Sequence, residues 1–238
     1  MKAVILAGGK GTRLAPYTKI LPKPLLPVGD MPILEILIKQ IKSAGLNEFI
    51  VTVGHLAELL RVFFGDGQRL GVKIEYSMEE TPLGTAGPLS LITSRLDAPF
   101  MVTNGDVLTN LDFTSLIRFH YESESIATIA SKTRQVSIDL GVLETGIDNM
   151  LTGYIEKPSY TFQVSMGIYI FEPRVLDYIP HNSYLDFPDL VSKLIKAGEK
   201  IKRYPFEGYW QDLGRQVDYE QAVQDFDRLR DEILPPGN

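Results

Sequence analysis

The 238-residue chain contains no cysteine. That excludes disulfides, thiolate metal centres and a cysteine nucleophile, and it fits a reducing cytosol. Its three histidines, His55, His120 and His181, are isolated, and no two have metal-ligand spacing, so none is assigned a role. No apolar run approaches the roughly 20 residues of a membrane span. No basic segment followed by a long apolar run opens the sequence, so no secretory signal is expected and a cytoplasmic location is. Positive charge is in deficit as well: 24 Lys and Arg stand against 30 Asp and Glu, a net charge of −6. Such a chain offers no overall field to nucleic acid or an anionic membrane, and neither is expected as a partner. No repeat, low-complexity stretch or linker divides it. One domain over residues 1–238 is expected. The tail Pro235 to Asn238 is expected to fray.

What positive charge there is gathers near the start. Ala3 to Leu6 is a small and branched apolar run that suits a buried strand of a parallel sheet. It opens into Gly8-Gly9-Lys10-Gly11-Thr12-Arg13, with Lys23 in Pro22-Lys23-Pro24 just downstream. Three glycines in four positions let the backbone approach a ligand and aim successive N–H groups at it. Lys10, Thr12 and Arg13 add donors and positive charge. A strand opening into a glycine-rich basic loop is a phosphate-binding design. It is neither a P-loop, whose G-x-x-x-x-G-K-[ST] is absent, nor the dinucleotide fingerprint, since Leu14 stands where a third glycine is required.

Further along, Pro32 and Gly45 punctuate a helix whose apolar stripe is Ile33, Leu37 and Ile41. Strands are expected at 48–53, 72–76 and 100–102, with a helix at 56–64. Strands separated by helices imply a doubly wound, mostly parallel α/β sheet of Rossmann-like kind. Its ligands belong beyond the carboxyl ends of the strands, where the loops 7–16, 77–88 and 104–106 fall. After residue 125 strands are expected at 126–131, 138–143, 151–156 and 164–171, then helices at 173–179, 187–197 and 216–229. The last carries Tyr219, Ala222, Val223, Phe226 and Leu229 on one face.

LAGGKGTRL followed by PKPLLPV resembles the N-terminus of the sugar-1-phosphate nucleotidylyltransferases, and four further motifs follow in matching order. The resemblance implies the reaction NTP + sugar 1-phosphate → NDP-sugar + pyrophosphate. It implies nucleotide contacts from Leu6, Ala7, Gly8, Gly9, Gly11, Thr12, Arg13 and Lys23. The run PLGTAGPL matches the loop that holds the base, which carries Glu79, Pro82, Gly84 and Thr85 to it, and Asn104 and Gly105 join them. Asp106 and Asp212 match the family's two metal aspartates, implying Mg²⁺ as cofactor. Glu156-Lys157-Pro158 matches the family's E-K-P motif, with Lys157 on the sugar phosphate and Glu156 on a sugar hydroxyl. Gly141, Ser165 and Trp210 complete the sugar side, although packing is the plainer role for Trp210. Leu140 and Ser165 depart from the family's usual residues, which touches the sugar's identity more than the reaction. Catalysis would fall to Arg13 at the leaving pyrophosphate, Lys23 at the α-phosphate and Asp106.

The donor nucleotide rests on one physical clue. Guanine presents adjacent donors, N1–H and the N2 amine, and a carboxylate such as that of Glu79 can accept both. Uracil and thymine present acceptor–donor–acceptor edges. GTP is therefore the first choice, with thymidylyl or uridylyl transfer the alternative. A non-catalytic sugar-nucleotide-sensing homologue is a rival class, but such proteins tend to lose the loop arginine or a metal aspartate, and both are present here. Relatives commonly form dimers or tetramers, so a homo-oligomer is open.

Overall fold

The computed structural model describes residues 1–235; the expectation for Pro236 to Asn238 lies outside them. Seven strands share one sheet: β1 (Lys2–Ala7), β2 (Glu48–Val53), β3 (Lys73–Met78), β4 (Phe100–Asn104), β5 (Ala127–Ser137), β6 (Ser159–Phe171) and β7 (Ile201–Phe206). Their order is β3-β2-β1-β4-β6-β5-β7. The pairs β3–β2, β2–β1, β1–β4 and β5–β7 are parallel, and β6 runs antiparallel to both its neighbours. Strands from both halves of the chain thus build one sheet. The carboxyl ends of β1 to β4 open on the same edge.

The alternation of β1 shows why helices cover both faces. Side chains two apart on a strand share a face. Ala3, Ile5 and Ala7 pack with Leu37 and Ile41 of α1 (Ile33–Ser43), Leu60 and Phe64 of α2 (Ala57–Phe64) and Leu116 of α3 (Phe113–Ser123). Val4 faces the other way, towards Leu89 and Leu190 and Leu194 of α4 (Phe187–Lys196). A third cluster joins α5 (Gln216–Ile233) to the N-terminal segment through Leu14, Leu26, Phe226 and Leu213. Gln40, buried on α1, ties this cluster to the rest. Its side-chain amide donates to the carbonyls of Thr109 at 2.6 Å and Ile233 at 2.7 Å.

The punctuation of α1 works as expected. Pro32 is its N-cap, Gly45 takes φ +91°, and the N–H groups of Gly45 and Leu46 return to the carbonyls of Lys42 and Ile41. That is the Schellman closure, which a residue with a Cβ forms only under strain. His120 is a core group: its ring meets Thr128 Oγ1 at 2.8 Å and Glu172 at 3.3 Å.

The structure corrects the sequence reading in four places. α3 and β7 were not expected. The segment 138–143 is not a strand throughout; pairing starts at Val142, in a two-stranded hairpin (Val142–Thr145 with Leu151–Ile155) beyond the outer ends of β5 and β6. Gly141 lies at the base of that hairpin, where the Tyr154 ring occupies the space a Cβ would need. Residues 173–179 form a 3₁₀ turn, Pro173–Tyr178, instead of an α-helix. Among the described residues no helix is long and apolar enough to cross a membrane.

Candidate active site

The site forms where β1 and β4 end. After Ala7 the chain turns through Gly8 and Gly9, and Gly11 takes φ +59° against Thr18, whose hydroxyl donates to the Gly11 carbonyl at 2.8 Å. A Cβ at Gly11 would lie 2.9 Å from Thr18 Cγ2. The turn Thr12–Leu14 follows, buries Leu14 and turns Thr12 and Arg13 outward. Gly9 has nothing near it on its Cβ side, so the loop faces open space there. Lys23 begins the turn Lys23–Leu25. Its ammonium donates to Asp106 and lies 4.0 Å from Asp212.

Sequence spacing gave no reason for Asp106 and Asp212 to meet, and a short ladder supplies it. Strand Val107–Thr109 pairs antiparallel with Trp210–Asp212, setting Asp212 opposite Val107. The Leu213 N–H then bonds to the Asp106 carbonyl at 3.1 Å. The Thr109 hydroxyl donates to the Tyr209 carbonyl at 2.7 Å and fixes the register. Gly214 follows; a Cβ there would lie 3.2 Å from Asp212 Oδ2 and 3.4 Å from Arg13 Nη2, so its lack of a side chain lets Arg13 approach Asp212. The loop arginine, the lysine and both aspartates therefore converge.

Burial, and then the negative charge of Asp106, push the Asp212 carboxyl above the usual range, while Lys23 and Arg13 pull it back. The two carboxylates thus repel one another. Their donors are hard carboxylate oxygens, and among the described residues no third His, Cys, Asp or Glu joins them in a metal-sized cluster. That donor set fits Mg²⁺, which fills most of its octahedron with water and phosphate oxygens. A consequence for stability follows from the sign of the shift. A carboxyl whose folded pKa is raised loses native stability as pH rises through the window above its unfolded value. Metal-free Asp212→Asn is therefore expected to melt above the parent at pH 7, and the gain to vanish in acid below that window. Thermal melts in chelator at the two pH values check this; a variant that melts below the parent at pH 7 contradicts it.

The base side is built on the loop after β3. Glu79 lies over Gly8, where a Cβ would collide with its carboxylate. One of its oxygens accepts the Leu83 N–H at 3.0 Å, and partial burial raises its pKa against that bond. Gly84 takes φ +79°, and a Cβ there would lie 2.7 Å from the Leu185 carbonyl oxygen. Pro82 is exposed. Thr85 is engaged with the protein: its N–H and hydroxyl donate to Asp186 at 2.9 and 3.0 Å, and its oxygen accepts the Phe187 N–H. It fastens the loop to the start of α4. Asn104 sits under Gly167, and the Gly105 N–H bonds to the Leu6 carbonyl at 2.9 Å, joining the ends of β4 and β1.

Of the residues that the resemblance gives to the sugar, Trp210 lines a cavity and the others lie outside its lining. A cavity of about 390 Å³ opens beside Asp212, lined by Arg13, Lys132, Arg134, Val164, Trp210 and Arg215 among others. Gly141, Glu156 and Lys157 do not line it. Glu156 accepts a hydrogen bond from Tyr154 at 3.1 Å at the hairpin's base, and Lys157 takes φ +44°. Ser165 bonds to Tyr169 at 3.1 Å at the irregularity of β6. Trp210 does two things: its indole N–H donates to the Met166 carbonyl at 3.0 Å, and its ring walls the cavity. Lys132, Arg134 and Arg215 line the cavity and were not singled out by the sequence. The one available signal was Arg215, which directly follows Asp212-Leu213-Gly214.

Comparison with known proteins shows the family. The nucleotidyl transferase family model matches residues 2–228. A UTP–glucose-1-phosphate uridylyltransferase from Synechocystis is 38% identical over 94% of this chain and 63% of its own length. A mannose-1-phosphate guanylyltransferase from Mycobacterium tuberculosis is 34% identical over 95% of this chain and 64% of its own length. The chain thus spans less than two thirds of these relatives. The structure of HddC from Yersinia pseudotuberculosis complexed with GMP-PN superposes with a TM-score of 0.73 at 25% identity, covering 94% of this chain and 99% of that one.

Proposed function

The chain belongs to the nucleotidyl transferase family, and we propose that it transfers a nucleotidyl group from a nucleoside triphosphate to a sugar 1-phosphate, releasing pyrophosphate. The observation that carries this is the ladder that joins Asp106 to Asp212 beside Lys23 and Arg13. Two carboxylates and two cations at the end of a glycine-rich strand suit phosphoryl chemistry, in which positioning and charge do most of the work.

An oxygen of the sugar phosphate attacks the α-phosphorus in line. The bond from the α-phosphorus to the bridging oxygen breaks, and its electron pair leaves with pyrophosphate. Backbone N–H groups of the Gly8–Gly11 loop hold the triphosphate. Lys23 balances charge at the α-phosphate, and Arg13 receives the charge that develops on pyrophosphate. Asp106 and Asp212 would hold Mg²⁺, which supplies neutralisation at the phosphate oxygens when bound.

GTP is the proposed donor. Support comes from the Glu79 carboxylate at the end of β3, and from a solved relative complexed with GMP-PN, whose base is guanine. The second reading is UTP, favoured by the uridylyltransferase name of the relative at 38% identity. Glu79→Gln separates them, because an amide presents a donor where guanine also presents one. With GTP as donor the variant should lose on the order of 10-fold or more in kcat/KM for GTP relative to UTP. The assay is pyrophosphate release across five triphosphates, each against a panel of hexose 1-phosphates. A parent that prefers UTP, or a variant with an unchanged GTP-to-UTP ratio, rejects the guanine assignment. No release with any pair rejects the transfer itself.

A further inference from the structure

We propose that the outer half of β5 and β6, with the hairpin beyond it, is a docking arm whose apolar face meets the same face of a second copy of this chain about a two-fold axis. The proposal is independent of the reaction.

Side-chain alternation carries the first part. Directly opposite residues of a ladder share a face, as do residues two apart. Beyond the Lys132–Val164 row, one face of the ladder carries Arg134, Val136, Tyr160 and Phe162. Ile138 continues it, its N–H bonded to the Pro158 carbonyl at 3.0 Å. The opposite face carries Gln135, Ser137, Ser159, Thr161 and Gln163. Such alternation belongs to a sheet with one side packed and the other wet. Here Val136, Ile138, Tyr160 and Phe162 are exposed, Phe162 at 52%, and among the described residues none of the four joins a core cluster. The hairpin extends this surface. Leu143 lies opposite Tyr154 and Thr145 opposite Leu151, so Leu143, Leu151 and Tyr154 share one side, and Ile147 at the tip is 88% exposed. β4 and β7 pair no farther out than Ile168 and Lys132. The arm is therefore two strands wide, and two strands alone are marginal in water.

Area and charge say what covers it. The exposed apolar side chains of ladder and hairpin together present on the order of 1,000 Å², more than the largest patch of a typical monomer and close to what one partner gives to a standard interface. Basic residues stand at the inner end, Lys132 and Arg134, with no acidic residue from 132 to 138. Acidic residues stand at the outer end, Asp139, Glu144, Asp148 and Glu156, against Lys157 alone. A face that is basic at one end, apolar in the middle and acidic at the other complements itself on two-fold rotation. The acidic hairpin of one copy then lies against the Arg134 end of the other, at the outer rim of the cavity. The same acidic end disfavours an anionic membrane as the cover.

Sedimentation equilibrium at micromolar concentration tests this. The parent should weigh twice the 26.6 kDa of one chain. Phe162→Asp and Leu143→Asp should each weaken dimerisation by about 30-fold or more, as loss of an interface anchor does. Both side chains are exposed in the single chain, so the circular-dichroism spectrum should not change. Arg134→Glu, and a hairpin with Asp139→Lys, Glu144→Lys and Asp148→Lys together, should each self-associate less than the parent, and the two mixed should form a heterodimer. A monomeric parent overturns the proposal; if that monomer binds a hydrophobic dye and Phe162→Asp does not, the face belongs to a different protein. A dimer that Phe162→Asp and Leu143→Asp leave intact has its interface elsewhere and overturns the proposal as well. A mixture that dimerises no better than its components overturns the two-fold arrangement.

Discussion

Arg13→Ala is expected to lower kcat by about 10³-fold, within the range seen when a single arginine at a phosphoryl-transfer site is removed, and to leave the melting temperature unchanged. The two halves of that result have separate causes. Stability stays because Arg13 is exposed and makes no side-chain bond to the protein; its neighbour Leu14 is the residue that packs. Activity falls because the charge developing on pyrophosphate loses the guanidinium at the end of the phosphate loop. Lys23 is committed to Asp106, and Lys132 to backbone carbonyls. Charge developing on the leaving pyrophosphate would then face Asp212 across Gly214 with no cation between them. Steady-state kinetics with a parallel thermal melt check the prediction. A folded variant within about tenfold of the parent, a loss of some 1.4 kcal/mol or less, would remove Arg13 from the chemistry.

Phe226→Ala should give the largest loss of stability, about 3–5 kcal/mol and a fall in melting temperature on the order of 10 °C. Phe226 is fully buried on α5. Its ring is pressed on the backbone of Gly29, which has φ +62° and where a Cβ would lie 2.7 Å from the ring. The Arg230 guanidinium stacks 5.5 Å from the ring centre while bonded to Asp30 at 2.8 Å. This one side chain therefore fixes the segment after Lys23 to the C-terminal helix. The same cluster contains Leu14 and Leu213, each next to a site residue or one removed from it. Cavity formation here should loosen both the phosphate loop and the ladder under Asp212. Urea unfolding measures the first effect, and the activity that survives at low temperature measures the second. A loss under about 1 kcal/mol would mean that the cluster closes around the gap and that α5 is not what steadies the site.

Much of the fold was legible because it is written in local patterns. β1 announces itself by an apolar run that stops at glycines, α1 by a stripe between Pro32 and Gly45, and the end of β4 by Asn104-Gly105-Asp106. α3 was missed because its sequence, Phe113 to Ser123, mixes aromatic and polar residues; the cap from Asp112 to the Thr114 N–H is a weak signal beside a run of apolar residues. β7 was missed because Lys202, Arg203 and Pro205 break up the apolar pattern that an edge strand does not need on both sides.

The site divides along the same line. Arg13, Lys23 and Asp106 lie close to the strand ends that place them. Asp212 reaches them only through pairing of segments some hundred residues apart, so motif resemblance named it and the ladder explains it.

The central claim is transfer of a nucleotidyl group onto a sugar phosphate, and phosphorus NMR of a complete reaction tests it most directly. With GTP, Mg²⁺ and the hexose 1-phosphate that performs best, the account predicts that the monoester and triphosphate signals decline together. A diphosphate diester pair and free pyrophosphate should replace them, one for one. Appearance of orthophosphate, or of nucleoside monophosphate with the sugar phosphate unchanged, would contradict it and make the chain a hydrolase built on this fold.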